Sequence, residues 1–385
     1  MKNSEIRSGT ARSSTPTRRR TAALAAAALI GLGLWWSATD PAQIQPVDGL
    51  HLDEAIALDT TASNMRVFWP PNATDTELAV TGVAVGLDGS IYILHRAGRP
   101  FGAGTTLIPD PVILRVDAET GEEIAHFGAD LFASPHGISV AHDGSIWVAD
   151  TSLNIVVHLD PQGQPIRTYG DRYPFYLEAL LRLRNVLPRL PIPMSDATFA
   201  RPTDVVPLSE GRFAVVDGYR NPRIAVFDTQ GRLVWQVNRR GSDPGEFHLP
   251  HGIAADAQGN IYVADRRNAR IQVFSEQGQL QRVISGPHVG RPFGVDVDSH
   301  GCMFAADGGD MLDLDRHNAL YRSGSGFSMF SADGILIGRL DGLDQGQPGF
   351  ELPHDIAVGG DGRAYIADLY ADQVYVVGLQ TSCDG

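Results

Sequence analysis

The sequence predicts an all-β protein, a six-bladed β-propeller of four-stranded blades, preceded by an N-terminal transmembrane or signal helix. Three observations lead there. Six openings of one apolar pattern recur: VTGVAV (80–85), SPHGISV (134–140), RPTDVVP (201–207), LPHGIAA (249–255), RPFGVDV (291–297) and LPHDIAV (352–358). Each opening runs into a turn such as HDGS, AQGN or GGDG, and then into a second strand: IYILHR, IWVADT, FAVVDG, IYVADR, MFAADG or AYIADL. The 42 glycines and 24 prolines in 385 residues suit short strands joined by turns, not helices. Radial repetition explains the self-similarity, because a closed ring leaves few open sheet edges. A β-sandwich would not repeat one motif six times.

The first twenty residues hold six basic side chains, Arg18–Arg20 among them, against Glu5, and the remaining 365 hold 25 basic against 44 acidic, within a net charge of −14. An acidic body argues against nucleic acid, whose phosphates need clustered Lys and Arg. From Thr21 to Thr39 there is no charge. That run is about as long as a spanning helix needs, so 1–20 reads as a basic cytoplasmic tail and 21–38 as an anchor or a signal peptide. Trp35 and Trp36 stand where a signal peptidase would want small residues, and they suit an outer interfacial belt. The expected location is the cell membrane, single-pass, with the propeller outside the cytoplasm (periplasmic or extracellular). The alternative is secretion after cleavage.

Residues 39–75 are polar and proline-marked, a linker with a lead-in strand, and 76–380 form the propeller. Each second strand leads to a third, as in RIAVFD and RIQVF, in which the first strand of each blade lines the central channel. Two insertions depart from the repeat. Residues 173–193 place Leu177, Leu180, Leu181 and Leu187 at helical spacing, either a helix packed on the propeller or a lid or membrane-contacting helix. Residues 308–328 read as a polar loop. Cys302 and Cys383 could pair in an oxidising compartment, or stand as two unrelated thiols.

Aligned on the residue after proline, the six openings hold Thr81, His136, Thr203, His251, Phe293 and His354. Histidine fills alternate copies. In a six-bladed ring alternate blades stand roughly 120° apart, so three imidazoles converge on the axis. Three histidines with room for another ligand form an open site of catalytic type for zinc, though imidazoles also suit iron or copper. The plainer alternative is three histidines that each satisfy a backbone group.

At this point the chain resembles the peptidyl-α-hydroxyglycine α-amidating lyases, six-bladed propellers of the NHL-repeat group. The resemblance spans most of residues 80–378. It is carried by ILHRAGRPF, SPHGISVAHDGSIWVAD, RPTDVVPLSEGRFAVVDGYRNPRI, LPHGIAADAQGNIYVADRRNARIQVF and LPHDIAVGGDGRAYIAD. The resemblance implies catalytic zinc on His136, His251 and His354, and structural calcium on the carbonyls of Val83 and Ile138 and the carboxylate of Asp355. It implies substrate handling by Arg96, Tyr219 and Arg266, which all follow a second strand. Tyr219 would take the proton of the metal-bound hydroxyl and the arginines would hold the carboxylate of a small-molecule or peptide substrate with an α-hydroxyglycine-like end. The implied reaction splits that end into an amide and glyoxylate. The chain departs from the family where Arg220 follows the tyrosine in place of a frequent cysteine, and where Leu352 replaces a methionine of the animal enzymes. It also shows no copper hydroxylase module. Two rivals stand beside the lyase: a lactonase-like propeller hydrolase, which typically holds calcium with Glu, Asn and Asp at the axis, and a non-enzymatic NHL-repeat scaffold at the membrane surface.

Overall fold

The computed structural model describes residues 65–379, apart from 72–76, 103, 172–174, 185–186, 188–191, 193, 287, 310–324 and 342–348. Six four-stranded antiparallel sheets make up the ring. The first contains β2 (Val80–Val85), β3 (Ile91–His95), β4 (Ile113–Val116) and β5 (Glu123–Phe127). The second contains β6 (Pro135–Val140), β7 (Ile146–Asp150), β8 (Ile155–Leu159) and β9 (Pro165–Tyr169). After helix α1 (Phe175–Leu183), the third contains β10 (Asp204–Pro207), β11 (Phe213–Asp217), β12 (Arg223–Phe227) and β13 (Leu233–Asn238). The fourth holds β14 (Pro250–Ala255), β15 (Ile261–Asp265), β16 (Arg270–Phe274) and β17 (Leu280–Ser285). The fifth holds β18 (Pro292–Val297), β19 (Met303–Gly308), β20 (Ser325–Phe330) and β21 (Leu336–Asp341). The sixth holds β22 (Pro353–Val358), β23 (Arg363–Asp368), β24 (Gln373–Gly378) and, as its outermost strand, β1 (Arg66–Trp69).

The innermost strands β2, β6, β10, β14, β18 and β22 contact one another around the ring. Six apolar clusters lie between neighbouring blades, for example Tyr92, Leu94, Ile138 and Val148 between the first and second, and Ile224, Phe247, Ile253 and Val263 between the third and fourth. Apolar residues point both ways from the inner strands, so each blade is packed on both faces, which accounts for the unbroken apolar runs in the second strands.

A buried aspartate ends the second strand of five blades and takes the amides of the chain entering the first strand. Asp150 accepts from Ala133 and Ser134, Asp217 from Ala200, Asp265 from His248, Asp307 from Arg291, and Asp368 from Glu351 and Leu352. Burial pushes all five carboxyls upward, against the amide bonds. The first blade has His95 at this position. Its entering amides, Leu78 and Val80, donate instead to Asp372 of the sixth blade, at 2.6 and 2.8 Å.

Ring closure therefore has two parts. The Asp372 carboxylate holds the entrance to β2, and β1 pairs antiparallel with β24, Arg66 opposite Val376. The lead-in strand expected within 39–75 is thus a strand of the last blade, and the propeller begins ahead of residue 76. The outer edge of β24 needs a partner, and β1, which precedes the first blade in the chain, supplies it.

The helix expected over 173–193 is shorter, nine residues, with Leu177 and Leu181 buried beside Ala200 and Leu187 exposed. Of the polar loop expected at 308–328, residues 325–328 belong to β20, and 310–324 lie outside the described residues. Cys302 is disulfide-bonded. The sequence has one other cysteine, Cys383, which lies outside the described residues, as do the 1–20 tail and the 21–38 segment. Among the described residues no helix is long and apolar enough to cross a membrane.

Replacing Asp372 with Ala strands two amides at the closure. The expected loss is about 2–5 kcal/mol of unfolding free energy, read by denaturant titration. An unchanged midpoint would show that the closure does not depend on this carboxylate.

Candidate active site

His136, His251 and His354 open β6, β14 and β22, and their ligand atoms lie within 4.8 Å of one another, all three buried. Ring centroids are 4.9, 4.7 and 4.8 Å apart, a near-equilateral triangle on the axis. Each Nδ1 meets a backbone carbonyl of the next blade: His136 to Thr203 at 2.7 Å, His251 to Phe293 at 2.9 Å, His354 to Thr81 at 2.7 Å. A carbonyl only accepts, so each Nδ1 carries the proton and each Nε2 lone pair is left for the axis. This explains the alternation. The residues in the histidine position of copies one, three and five supply the carbonyls that orient the histidines of copies six, two and four.

Burial lowers the pKa of all three imidazoles, to about 3 for His354 and well below the usual value for His136 and His251. They are neutral at physiological pH. Three neutral imidazoles, Nε2 inward and Nδ1–H held by carbonyls, are the donor set and outer bonding that an open zinc-type centre uses. The residues fit such an ion.

Tyr219 follows β11 and brings its hydroxyl to 2.9 Å from His136 Nε2 and 3.3 Å from His251 Nε2. The chain can place it there because Gly218 passes against the fourth blade; a Cβ on Gly218 would stand 1.7 Å from the Pro250 carbonyl oxygen. Burial raises the phenol's pKa, and Arg266, Arg96 and Arg201 pull it back down. Arg266 follows β15. Its guanidinium makes no hydrogen bond or ion pair with any described residue; its carbon lies 3.6 Å from the centroid of the Phe293 ring. Burial lowers its pKa to about 10, so it stays cationic. Arg96 is buried after β3, with its guanidinium 5.7 Å from the Phe101 ring. Phe101 is 44% exposed and 5.0 Å from the Tyr219 ring.

A carboxylate layer occupies the channel beside the histidines. Asp355 and Asp204 follow the histidine position in copies six and three, where the other four copies have Gly82, Gly137, Gly252 and Gly294. Asp355 accepts from the Val83 amide at 3.0 Å and Asp204 from the Ile253 amide at 3.0 Å. Both line one cavity with the three histidines. Burial and then mutual repulsion push Asp355 upward, and burial does the same to Asp204. Val83 and Ile138 are buried in the adjacent strands β2 and β6. One buried and one half-buried carboxylate, with no cationic side chain paired to them among the described residues, suit a hard ion such as calcium. Asp204 is a site residue beyond those expected from the sequence, and its signal is the DV of RPTDVV set against the DI of LPHDIA. Phe293 and Phe101 likewise join the site without an expected role.

Helix α1 is fastened over the tyrosine segment by one carboxylate. Glu178 meets Arg220 at 3.0 Å, Arg182 at 3.1 Å and Arg201 at 3.6 Å. The Tyr219 amide donates to the Arg201 carbonyl and the Arg220 amide to the Ala200 carbonyl. Arg220 thus ties the tyrosine segment to the insertion through an ion pair.

His251→Ala removes one side of the triangle and leaves the inter-blade packing in place. The variant is expected to keep its far-ultraviolet circular dichroism and to lose stoichiometric zinc by elemental analysis. Full zinc content would rule out the triad as the metal centre.

The NHL repeat family matches residues 247–274, which cover β14 to β16. A Caenorhabditis elegans protein named "probable peptidyl-alpha-hydroxyglycine alpha-amidating lyase" is 27% identical over 369 residues, 87% of this chain and 94% of that protein. The Drosophila melanogaster peptidyl-alpha-hydroxyglycine alpha-amidating lyase 1 is 27% identical over 78% of this chain and 57% of its own length. Xenopus laevis peptidyl-glycine alpha-amidating monooxygenase B is 30% identical over 77% of this chain, and the match spans 33% of that protein, about a third of its length. A gluconolactonase structure from Xanthomonas campestris shares the fold at a TM-score of 0.53 and 16% identity, over 82% of this chain and 90% of that one. The chain is an NHL-repeat six-bladed β-propeller that is similar, over most of its length, to proteins named peptidyl-α-hydroxyglycine α-amidating lyases.

Proposed function

We propose that the chain is a metal-dependent carbon–nitrogen lyase that converts an N-acyl-α-hydroxyglycine end into the amide and glyoxylate. One observation carries this most: a triangle of Nε2 atoms touched by the Tyr219 hydroxyl, with the unpaired Arg266 guanidinium alongside. In the reaction the hydroxyl of the reacting carbon loses its proton, its electrons form the aldehyde C=O, and the C–N pair leaves on nitrogen, which takes up a proton. No water is consumed.

The three imidazoles would hold a zinc-type ion, which would supply Lewis acidity that lowers the pKa of a hydroxyl. Arg266 and Arg96 hold the substrate carboxylate; a planar guanidinium pairs with it at two points. Tyr219 receives the hydroxyl proton and returns it to the departing nitrogen. Burial raises the phenol's pKa, and the three arginines offset part of that rise, in the direction of the phenolate this requires. The buried triad keeps bulk water from the reacting carbon. Structural calcium is assigned to the carboxylate of Asp355 and the carbonyls of Val83 and Ile138, with Asp204 facing the same cavity.

The propeller is proposed to lie outside the cytoplasm, tethered through 21–38. The basic tail before an uncharged run supports this, as does the disulfide at Cys302.

Purified full chain with benzoyl-α-hydroxyglycine is expected to release equal amounts of benzamide and glyoxylate, and to stop on treatment with a chelator. Tyr219→Phe is expected to keep its zinc and lose ~10²-fold or more in turnover. Absence of glyoxylate overturns the lyase, and wild-type turnover in Tyr219→Phe removes the tyrosine from proton transfer.

Calcium competes with protons for Asp355 and Asp204. Their folded pKa values are raised, so without calcium the folded state loses stability as pH climbs above the unfolded carboxyl range. Added calcium is therefore expected to raise the melting temperature more at pH 8 than at pH 6. No calcium effect at either pH would contradict a cation in this layer.

A further inference from the structure

Three residues supply the carbonyls that orient the histidines. Two are threonines, and their hydroxyls turn back into the backbone: Thr81 to the Leu94 and Pro135 carbonyls at 3.4 and 3.3 Å, Thr203 to the Val216 carbonyl at 3.2 Å. The third is Phe293. Supplying a carbonyl requires no aromatic ring, and threonine does it twice in this chain. The ring is buried instead against the site, 4.9 Å from His251 and 5.6 Å from His354 by centroid, and under the Arg266 guanidinium. The fifth blade makes room for it with Gly308, where a Cβ would stand 2.3 Å from Phe293 Cε2.

We propose that Phe293 is a positioning residue that joins the two halves of the site: its backbone carbonyl orients the metal ligand His251, and its ring holds Arg266 at the place where the substrate carboxylate binds. Arg266 has no carboxylate partner among the described residues to fix it, and a flexible, half-buried cation would lose rotamer freedom on binding an anion. The face of an aromatic ring fixes a guanidinium through its quadrupole without consuming any N–H donor. All five N–H groups therefore remain for a ligand. Stacking against Phe293 sets the plane in which the fork is presented. The ring also lies against His251 and His354, so the plane is set relative to the metal ligands. A leucine here would keep the backbone carbonyl and fill much of the volume, yet present no π face.

The proposal rests on the lyase assignment for the identity of the substrate, and its test separates the two. Glyoxylate is used as a simple carboxylate probe by calorimetry on zinc-loaded full chain, alongside turnover of benzoyl-α-hydroxyglycine. Phe293→Leu is expected to keep its zinc, to weaken glyoxylate binding and raise KM by roughly 10-fold, and to change kcat much less. In an Arg266→Ala background, Phe293→Leu should cause no further loss of glyoxylate binding. Phe293→Tyr, which keeps the ring, should restore most of it. Unchanged binding in Phe293→Leu overturns the proposal, and so does an equal loss with or without Arg266. Loss of zinc in Phe293→Leu also overturns it, since the ring would then act on the metal centre. Glyoxylate binding that depends on Arg266 and Phe293 without any turnover would sink the lyase and leave the positioning role standing.

Discussion

Three hydrogen bonds from imidazole Nδ1 to the carbonyls of Thr203, Phe293 and Thr81 hold the rest of the site in place. Individually each contributes only about 0.5–1.5 kcal/mol, a small part of what the blade interfaces supply. Their effect lies in direction. They fix the tautomer, aim every Nε2 at the axis and tie each histidine blade to the blade that follows it. The bond from His354 to Thr81 crosses from the last blade to the first. The geometry of the histidine triangle therefore depends on ring closure, and so on β1, β24 and the Asp372 carboxylate. Burial works in the same sense: it keeps the imidazoles neutral, so their lone pairs stay available to a cation.

Charge is layered along the channel of an acidic chain. Arg96, Arg266 and Arg201 surround Tyr219 on one side of the histidines. Asp204 and Asp355 line the cavity on which the histidines also border, with Asp296 reaching the Val358 amide nearby. An anionic ligand among the arginines and a cation beside the carboxylates would thus each meet the opposite sign. The order matters because the interior screens poorly: a like-charged layer in either place would cost several kcal/mol. The Glu178 cluster serves the same arrangement from outside. One carboxylate among three guanidiniums leaves net positive charge beside the tyrosine while pinning the segment that carries it.

The repeat made much of this legible. Because both depend on local pattern, apolar runs and Gly/Asp turns located the inner and second strands to within a residue or two, except at β10, which starts at Asp204 and not at Arg201. The alternation of histidine pointed to the triangle, and the positions after the second strands pointed to Arg96, Tyr219 and Arg266. What escaped was set by distance in the chain. β1 meets β24, and Val83 meets Asp355 across 272 residues, partnerships that no local window contains. His95 in place of the usual aspartate marked the first blade as different, but only the fold shows that Asp372 of the sixth blade takes over its amides. Phe293 read as an absence of histidine. Its role depends on Arg266 approaching from the neighbouring blade, which residue identity alone does not reveal.

The central claim is that backbone carbonyls lock three neutral imidazoles with Nε2 facing the axis. Long-range proton–nitrogen correlation spectra of histidine-labelled full chain test it most directly, with His136, His251 and His354 assigned by single substitution. Before metal is added, all three should show the Nδ1–H tautomer with an unprotonated Nε2, and zinc should move the three Nε2 resonances together at one equivalent. Nε2–H tautomers, or zinc that shifts fewer than three of these nitrogens, would contradict it.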